Sequence, residues 1–183
     1  MHMAVPAEIV GAWRRSGLLL DGVRQVDHCD VIWLQTPDWY VDIRLRIDPT
    51  SVVPTEGVPG WFSQEFSFAG IATWDAPVIT WDHLIDSSLE PAVDANPLTW
   101  EDGVAFETGK TEVNGVVVPF IEEWLRMTDD DVKYSVQMED RAARIEVGRF
   151  AVEIRDERPS GPFLSTRYHR SGPDWVKFGS VTA

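Results

Sequence analysis

The sequence has 183 residues, 44% of them hydrophobic, and its 30 acidic and 16 basic side chains leave a formal net charge of −14. This length is typical of one domain with a substantial hydrophobic core, so we treat residues 1–183 as a single domain. The negative charge repels polyanions and therefore argues against nucleic acid or an anionic membrane surface as a partner.

The predicted elements begin with a short helix over Ala7–Trp13. From Leu18 onward, apolar and polar residues alternate with the period of two that is typical of β-strands. The first two clear strands are Cys29–Thr36 and Trp39–Ile47, which flank a Pro-Asp turn. The pattern therefore predicts an all-β chain after its first residues.

The remainder of the chain continues this pattern after a proline- and glycine-rich loop, Asp48–Gly60. An Asn114-Gly115 pair is a strong hairpin signal because both residues accept a positive φ. Further strands are predicted at Gly70–Asp75, Val78–Ile85, Gly103–Gly109, Val116–Thr128, Lys133–Glu139, Arg144–Glu157, Phe163–Arg170 and Trp175–Thr182. About ten strands with short connections favour a closed antiparallel up-and-down barrel, with an edge-protected sandwich as the alternative.

The opening Gly-x-Trp motif, Gly11 and Trp13, carries a family resemblance. A short helix followed by this motif on the first barrel strand resembles the lipocalins and the wider calycin group. The resemblance implies that Trp13 closes one end of the barrel and that an arginine from the last strands packs across its ring. Candidates for that arginine are Arg167 and Arg170. Some segments are also similar to a small lipocalin-like family of bacteria and fungi that brings no established activity: WLQTPDWYVDIRL, AFETGK and EEWLRM.

The strand Trp39–Ile47 has one apolar and one polar face, and either can point into a barrel. Its apolar row consists of Val41, Ile43, Leu45 and Ile47. Its polar row consists of Tyr40, Asp42, Arg44 and Arg46. The commoner arrangement places the apolar row inside, because a buried charge is costly unless it is paired. The opposite arrangement would give a cavity with a phenol and a charged pair, beside Trp33 and Gln35 of the preceding strand.

Two adjacent glutamates make the strand around Phe120 unusual. Glu122 and Glu123 point to opposite faces, so one carboxylate enters the barrel whichever face is interior. Burial would raise its pKa toward neutrality and make it a candidate acid or base, with Glu107 close enough to share the site. The alternative interpretation is an ordinary strand with glutamate–arginine pairs at its rim.

Metal and cofactor chemistry finds little support in the sequence. The four histidines lack metal-ligand spacing, and phosphate-binding and dinucleotide-binding motifs are absent, so we predict no metal site and no cofactor. His169 alone could ligate haem, as a calycin-like haem barrel would require. Cys29 is the only cysteine, which excludes an intrachain disulfide, and its acidic neighbours argue against a nucleophilic role. With no signal peptide and no apolar run of ~20 residues, the sequence predicts a cytoplasmic protein.

These patterns favour a small-molecule binding protein over two alternatives. The residues predicted to line an aromatic cavity for a small apolar or aromatic molecule, and to orient its polar end, are Trp33, Tyr40, Arg44, Trp74, Trp81, Glu123 and Trp124. A barrel enzyme, such as an isomerase, cyclase or hydrolase, would use Glu123, Asp42 and Tyr40. The third interpretation is an interaction protein with a filled core, which formation of a tight homodimer would favour.

Overall fold

A computed structural model describes residues 3–51, 57–88 and 93–183 of the chain. In these residues the chain forms fourteen strands and one four-residue helix. The strands are β1 Gly11–Leu20, β2 Val23–Arg24, β3 Cys29–Gln35, β4 Trp39–Arg46, β5 Phe66–Asp75, β6 Val78–Asp86, β7 Val93–Glu101, β8 Val104–Val113, β9 Val116–Arg126, β10 Tyr134–Glu139, β11 Ala142–Val147, β12 Phe150–Asp156, β13 Phe163–Ser171 and β14 Asp174–Thr182. The helix, α1, is Gly60–Ser63. No helix in the described ranges is long and apolar enough to cross a membrane.

Eight antiparallel strands close into a barrel, which confirms the predicted fold class. Strands β1 and β3 to β9 pair in chain order, and β1 closes the ring by pairing with β9 as well as β3. Among the described residues, the short β2 pairs with β1 alone and lies outside the ring. The tight β8–β9 turn is made by Asn114 and Gly115, with φ of 51° and 79°. The predicted hairpin at this pair therefore forms because both residues adopt the left-handed conformation.

The count of about ten sequential strands implied that the last strands continue the barrel. The structure shows that the last five do not. Strands β10 to β14 form a separate antiparallel meander. Its apolar side chains pack on the outside of the barrel, where Ile43 of β4 and Ile32 of β3 share one cluster with Ile145, Ile154 and Phe163. All five of these side chains are fully buried. The two sheets therefore share a core that lies between them, in addition to the interior of the barrel.

The N-terminal segment is a turn and not the predicted helix. Residues 7–9 form the turn, closed by hydrogen bonds from the Ile9 and Val10 amides to the carbonyls of Pro6 and Ala7. From Gly11 the backbone is already extended in β1. The apolar spacing that indicated a helix arises because Ile9 and Trp13 both pack into the closed end of the barrel.

Trp13 closes this end of the barrel, and its arginine partner is Arg126 instead of Arg167 or Arg170. Trp13 is buried and stacks on Trp33 with ring centroids 5.8 Å apart. The Arg126 guanidinium lies 5.5 Å from the Trp13 ring and donates to the carbonyls of Val10 and Glu8 at 2.7 and 3.2 Å. A Cβ on Gly11 would lie 2.8 Å from the Thr128 hydroxyl and 3.3 Å from Arg126 Nε, so a larger residue would displace side chains that pack at this end of the barrel.

The two arginines predicted for that position lie on the second sheet. Arg167 forms an ion pair with Asp30 at 2.8 Å and packs over Phe178. Arg170 packs over Trp175. The prediction was wrong because it assigned β13 to the barrel, whereas β9 is the last barrel strand and directly faces Trp13.

Candidate functional site

The barrel contains a cavity of about 730 Å³ above the Trp13–Trp33 stack. Trp33 lines it at the closed end, and Trp61 of α1 lines it at the opposite end. The Trp61 indole donates to the Thr111 hydroxyl of β8 at 3.1 Å, so α1 reaches across part of the mouth. This volume lies in the range of small-molecule sites.

One wall of the cavity is aromatic. Trp33 contacts Trp81 and Trp124 edge-to-face, with ring centroids 5.5 and 5.7 Å apart. Tyr40 extends this wall from Trp81 to Phe68, whose centroid is 5.9 Å away. Edge-to-face contacts of this kind hold the rings in fixed orientations. The result is a preformed aromatic surface.

The polar row of β4 points into the cavity. The commoner arrangement expected from the sequence, with the apolar row inside, is not the one that forms. Tyr40, Asp42 and Arg44 line the interior, whereas Val41 and Ile43 pack under the second sheet. The Arg44 guanidinium donates to Asp42 at 3.1 Å and lies 4.2 Å from the Phe66 ring centroid. Burial raises the pKa of Asp42, although the charge of Arg44 opposes this shift. Pairing and ring stacking therefore compensate the cost of the buried charges.

A second buried ion pair lies where β1 meets β9. The Arg15 side chain is fully buried and donates to Asp27 through two nitrogens, each at 2.8 Å, and to Glu122 at 2.7 Å. Glu122 lines the cavity. Arg15 thus holds two carboxylates, and its charge is compensated before any ligand enters.

Glu107 of β8 differs from the other buried carboxyl groups because its hydrogen-bond donors are neutral. It accepts from the Asn96 amide at 2.8 Å and from the Trp124 indole at 3.3 Å. Burial raises the pKa of Glu107 well above its ordinary value, and the negative charge of Glu122 adds to the shift. A carboxyl group in this environment favours its protonated form.

One polar group of the cavity has unfilled hydrogen-bonding capacity. The buried Tyr40 hydroxyl has no hydrogen-bond partner among the described residues. His83, in contrast, donates through Nδ1 to the Asp86 carboxylate at 2.7 Å, and its Nε2 lies 3.3 Å from an Asp94 oxygen. Buried polar atoms are usually satisfied, so the Tyr40 hydroxyl indicates a place for a polar group of a ligand.

The pH dependence of stability is expected to report on His83. Burial opposes protonation of its ring, but the carboxylates of Asp86 and Asp94 outweigh burial and raise the pKa of His83 to about 9 from 6.5. Because the folded-state pKa is the higher one, this contribution is complete below pH 6.5 and is lost as the pH rises toward 9. We expect the free energy of unfolding to fall by about 1–3 kcal/mol more in the wild type than in His83→Gln between pH 6 and 8.5.

Urea denaturation of both proteins across this range measures the difference. His169→Gln is the matched control, since it removes a histidine of the second sheet and should keep the wild-type slope. Parallel curves for wild type and His83→Gln would show that the carboxylates do not hold the proton.

The cavity brings together most of the residues that the sequence predicted to line it: Trp33, Tyr40, Arg44, Trp81 and Trp124. Two do not line it. Trp74 lies at the closed end of the barrel, where it packs against Trp100 and pairs with Met3. Glu123 points outward to form an ion pair with Arg24 of β2 at 2.8 Å. Glu123 is therefore absent from the barrel interior, where the enzyme interpretation required it.

Several lining residues were missed: Trp61, Phe68 and His83. Glu122 was named only as the alternative to Glu123, and it is the one that lines the cavity. Glu122 shares a face with Trp124, and His83 shares one with Trp81, so strand alternation contained the signal. Trp61 lies on a short helix after an irregular loop, and no sequence signal indicated its position. Residues 52–56 of that predicted loop lie outside the described residues.

Other candidate groups lie away from the cavity. His169 is on β13 in the second sheet, beside Phe178, and does not line the barrel interior. Cys29 is buried, and burial raises the pKa of its thiol, which disfavours the thiolate. Within residues 3–51, 57–88 and 93–183, no group of three histidine, cysteine or acidic side chains is arranged to hold a metal ion.

A family model described as Protein HRI1 matches residues 13–178, which include all eight barrel strands apart from the first residues of β1, together with the second sheet up to β14. No curated protein and no solved structure matches the chain.

Proposed function

The chain belongs to the HRI1 family, and we propose that it is a small-molecule binding protein whose barrel holds a mostly apolar or aromatic ligand. The observation that carries this proposal is the combination of a 730 Å³ cavity with a buried Tyr40 hydroxyl that has no partner among the described residues. An unpaired buried hydroxyl is costly. A polar group of a bound molecule would pair with it while the rest of the molecule contacts the aromatic wall.

The lining supports a ligand with one ring-like part and one polar part. Trp33, Trp81 and Trp124 offer flat apolar surface at the closed end. Arg44, His83 and Glu107 supply polar groups. Small-molecule sites commonly combine a predominantly apolar wall with a few fixed polar groups that orient the ligand.

A lipocalin-like relationship adds support from geometry. The Gly11-x-Trp13 motif packs against an arginine of the last barrel strand, Arg126, which also binds backbone carbonyls. Lipocalin-like barrels resemble this arrangement and hold ligands in their interior. Because fold alone does not determine function, the proposal depends on the cavity and uses the relationship as secondary support.

We also propose that this binding takes place in the cytoplasm and that the partner is a small molecule, not nucleic acid or a membrane surface. The single cysteine and the net charge of −14 support both points. A homodimer stays a prediction.

The test is native mass spectrometry of freshly purified protein, followed by titration with an uncharged solvatochromic dye, 6-propionyl-2-(dimethylamino)naphthalene. We expect either a bound mass that is lost on denaturation or saturable quenching of tryptophan emission with a micromolar Kd. Trp81→Phe should weaken dye binding, because Trp81 lines the cavity. Trp74→Phe is the matched control on the adjacent strand and should bind like the wild type. A bare mass combined with no saturable quenching would contradict the proposal.

A further inference from the structure

The acidic and basic side chains that line the cavity are unequal in number. Among the described residues, six acidic side chains line it: Asp42, Glu65, Asp86, Asp94, Glu107 and Glu122. Three basic side chains of the same described residues line it: Arg44, His83 and Lys110. A cavity with this excess of carboxyl groups attracts a positively charged group and repels an anion.

The buried basic groups are already paired with carboxylates. Arg44 pairs with Asp42, and His83 lies between Asp86 and Asp94. Arg15 pairs with Glu122 and is itself compensated by Asp27. Lys110 is exposed at the mouth of the barrel. The charge of these groups is therefore not free to meet another buried carboxylate.

Glu107 is the exception among the buried carboxyl groups of the cavity. In the described part of the chain, no lysine, arginine or histidine nitrogen lies within 4 Å of it, and its donors are the neutral Asn96 amide and Trp124 indole. A buried carboxylate with neutral donors alone is unstable relative to one with a cationic partner. Either a proton or a ligand must supply the positive charge.

The side chains next to Glu107 favour a particular kind of cation. Trp124, which donates to Glu107, forms an edge-to-face pair with Trp33, and Trp33 forms another with Trp81. Indole faces attract organic cations, and alkylated ammonium groups are recognised in this way because they are weakly hydrated. Ring surface and a carboxylate therefore meet at one place in the cavity.

We propose that the ligand of this cavity is an organic ammonium ion, which places its charge beside Glu107 and its apolar part against Trp33 and Trp124. This inference rests on the proposed small-molecule binding function and adds the chemical class of the ligand.

The same geometry implies that binding depends on pH. Burial and the charge of Glu122 on β9 raise the pKa of Glu107, and Asp94 on β7 adds to this, whereas Arg44 across the cavity opposes it. His83 on β6 and Lys110 on β8 are the other basic groups of the lining. A bound cation stabilises the ionised Glu107 and displaces its proton, so affinity for a permanently charged ligand should rise with pH.

The experiment compares two ligands of equal size, benzyltrimethylammonium and its uncharged isostere neopentylbenzene, by competition with the dye. We expect the cation to bind at least about tenfold more tightly at neutral pH, with an advantage that increases with pH. Calorimetry of the cation in buffers of different ionisation enthalpy should show proton release on binding.

Glu107→Gln keeps the side-chain size and one of the two oxygens, so it can still accept from either Asn96 or Trp124. It should reduce the advantage of the cation about tenfold while neopentylbenzene still binds, which shows that the cavity remains folded. Glu123→Gln is the matched control, because it is the same substitution on the outer face of the barrel, where Glu123 pairs with Arg24. It should leave the advantage unchanged.

The outcomes separate the two proposals. Equal affinity of the two isosteres, or loss of the advantage in both variants, would overturn the ammonium inference and leave small-molecule binding intact. Failure of the dye and both isosteres to bind would overturn the binding function itself.

Discussion

Replacing Arg15 by methionine is expected to lower the free energy of unfolding by about 3–5 kcal/mol. Arg15 is fully buried and holds Asp27 and Glu122 through three hydrogen bonds of 2.7–2.8 Å. Its guanidinium also lies 5.3 Å from the Phe62 ring, which anchors α1. Methionine preserves apolar volume but leaves two carboxylates without their cation. Urea denaturation followed by tryptophan fluorescence measures the loss.

Arg24→Met is the matched control for this substitution. Arg24 pairs with Glu123 next to the Arg15 site, but its side chain is 57% exposed. Exposed pairs of this kind contribute about 0.2–1 kcal/mol, so the control should remain close to the wild type. The double variant Arg15→Met/Glu122→Gln should recover part of the stability because it removes one orphaned charge. A loss below 1 kcal/mol for Arg15→Met would contradict the buried ion pair.

Ile43→Ala is expected to lower the free energy of unfolding by about 2–5 kcal/mol. Ile43 points away from the barrel interior, yet it is fully buried because the second sheet covers it. Removing its side chain leaves a cavity between the two sheets. The same denaturation measurement determines the cost.

Ile47→Ala is a closely matched control, because Ile47 is the same residue type in the same apolar row. It lies just past the end of β4 and is 62% exposed. Its substitution should change stability by less than about 0.5 kcal/mol. Similar small effects at both positions would show that the second sheet does not pack on this face.

The sequence predicted the closed antiparallel barrel because strand alternation and turn signals are local. The Asn114-Gly115 turn and the Pro-Asp turn after Gln35 depend on backbone preferences of a few residues, and both connect paired strands. The helix prediction at Ala7–Trp13 was wrong for the opposite reason. The apolar side chains of Ile9 and Trp13 match a helical period, but their burial comes from contacts with distant strands.

The candidate site could be predicted only in part from local sequence patterns. Alternation established that one of Glu122 and Glu123 enters the barrel, and the structure identifies it as Glu122. It likewise separated Tyr40, Asp42 and Arg44 from Val41 and Ile43, without deciding which row faces inward. Trp61 enters the cavity lining from outside the barrel strands, through α1.

The sequence by itself determined most of the strands, the all-β class and the division of each strand into two faces, since these follow from short-range periodicity and backbone conformation. It missed β7 and predicted β11 and β12 as one segment. Only the tertiary structure decided which face became the cavity. Strands β10 to β14 cover the outside of β3 and β4, so the apolar row of β4 is buried there and its polar row turns inward. When both faces of a strand are buried, its local sequence does not show which face points into the barrel. That choice depends here on contacts with residues more than 100 positions away in the chain.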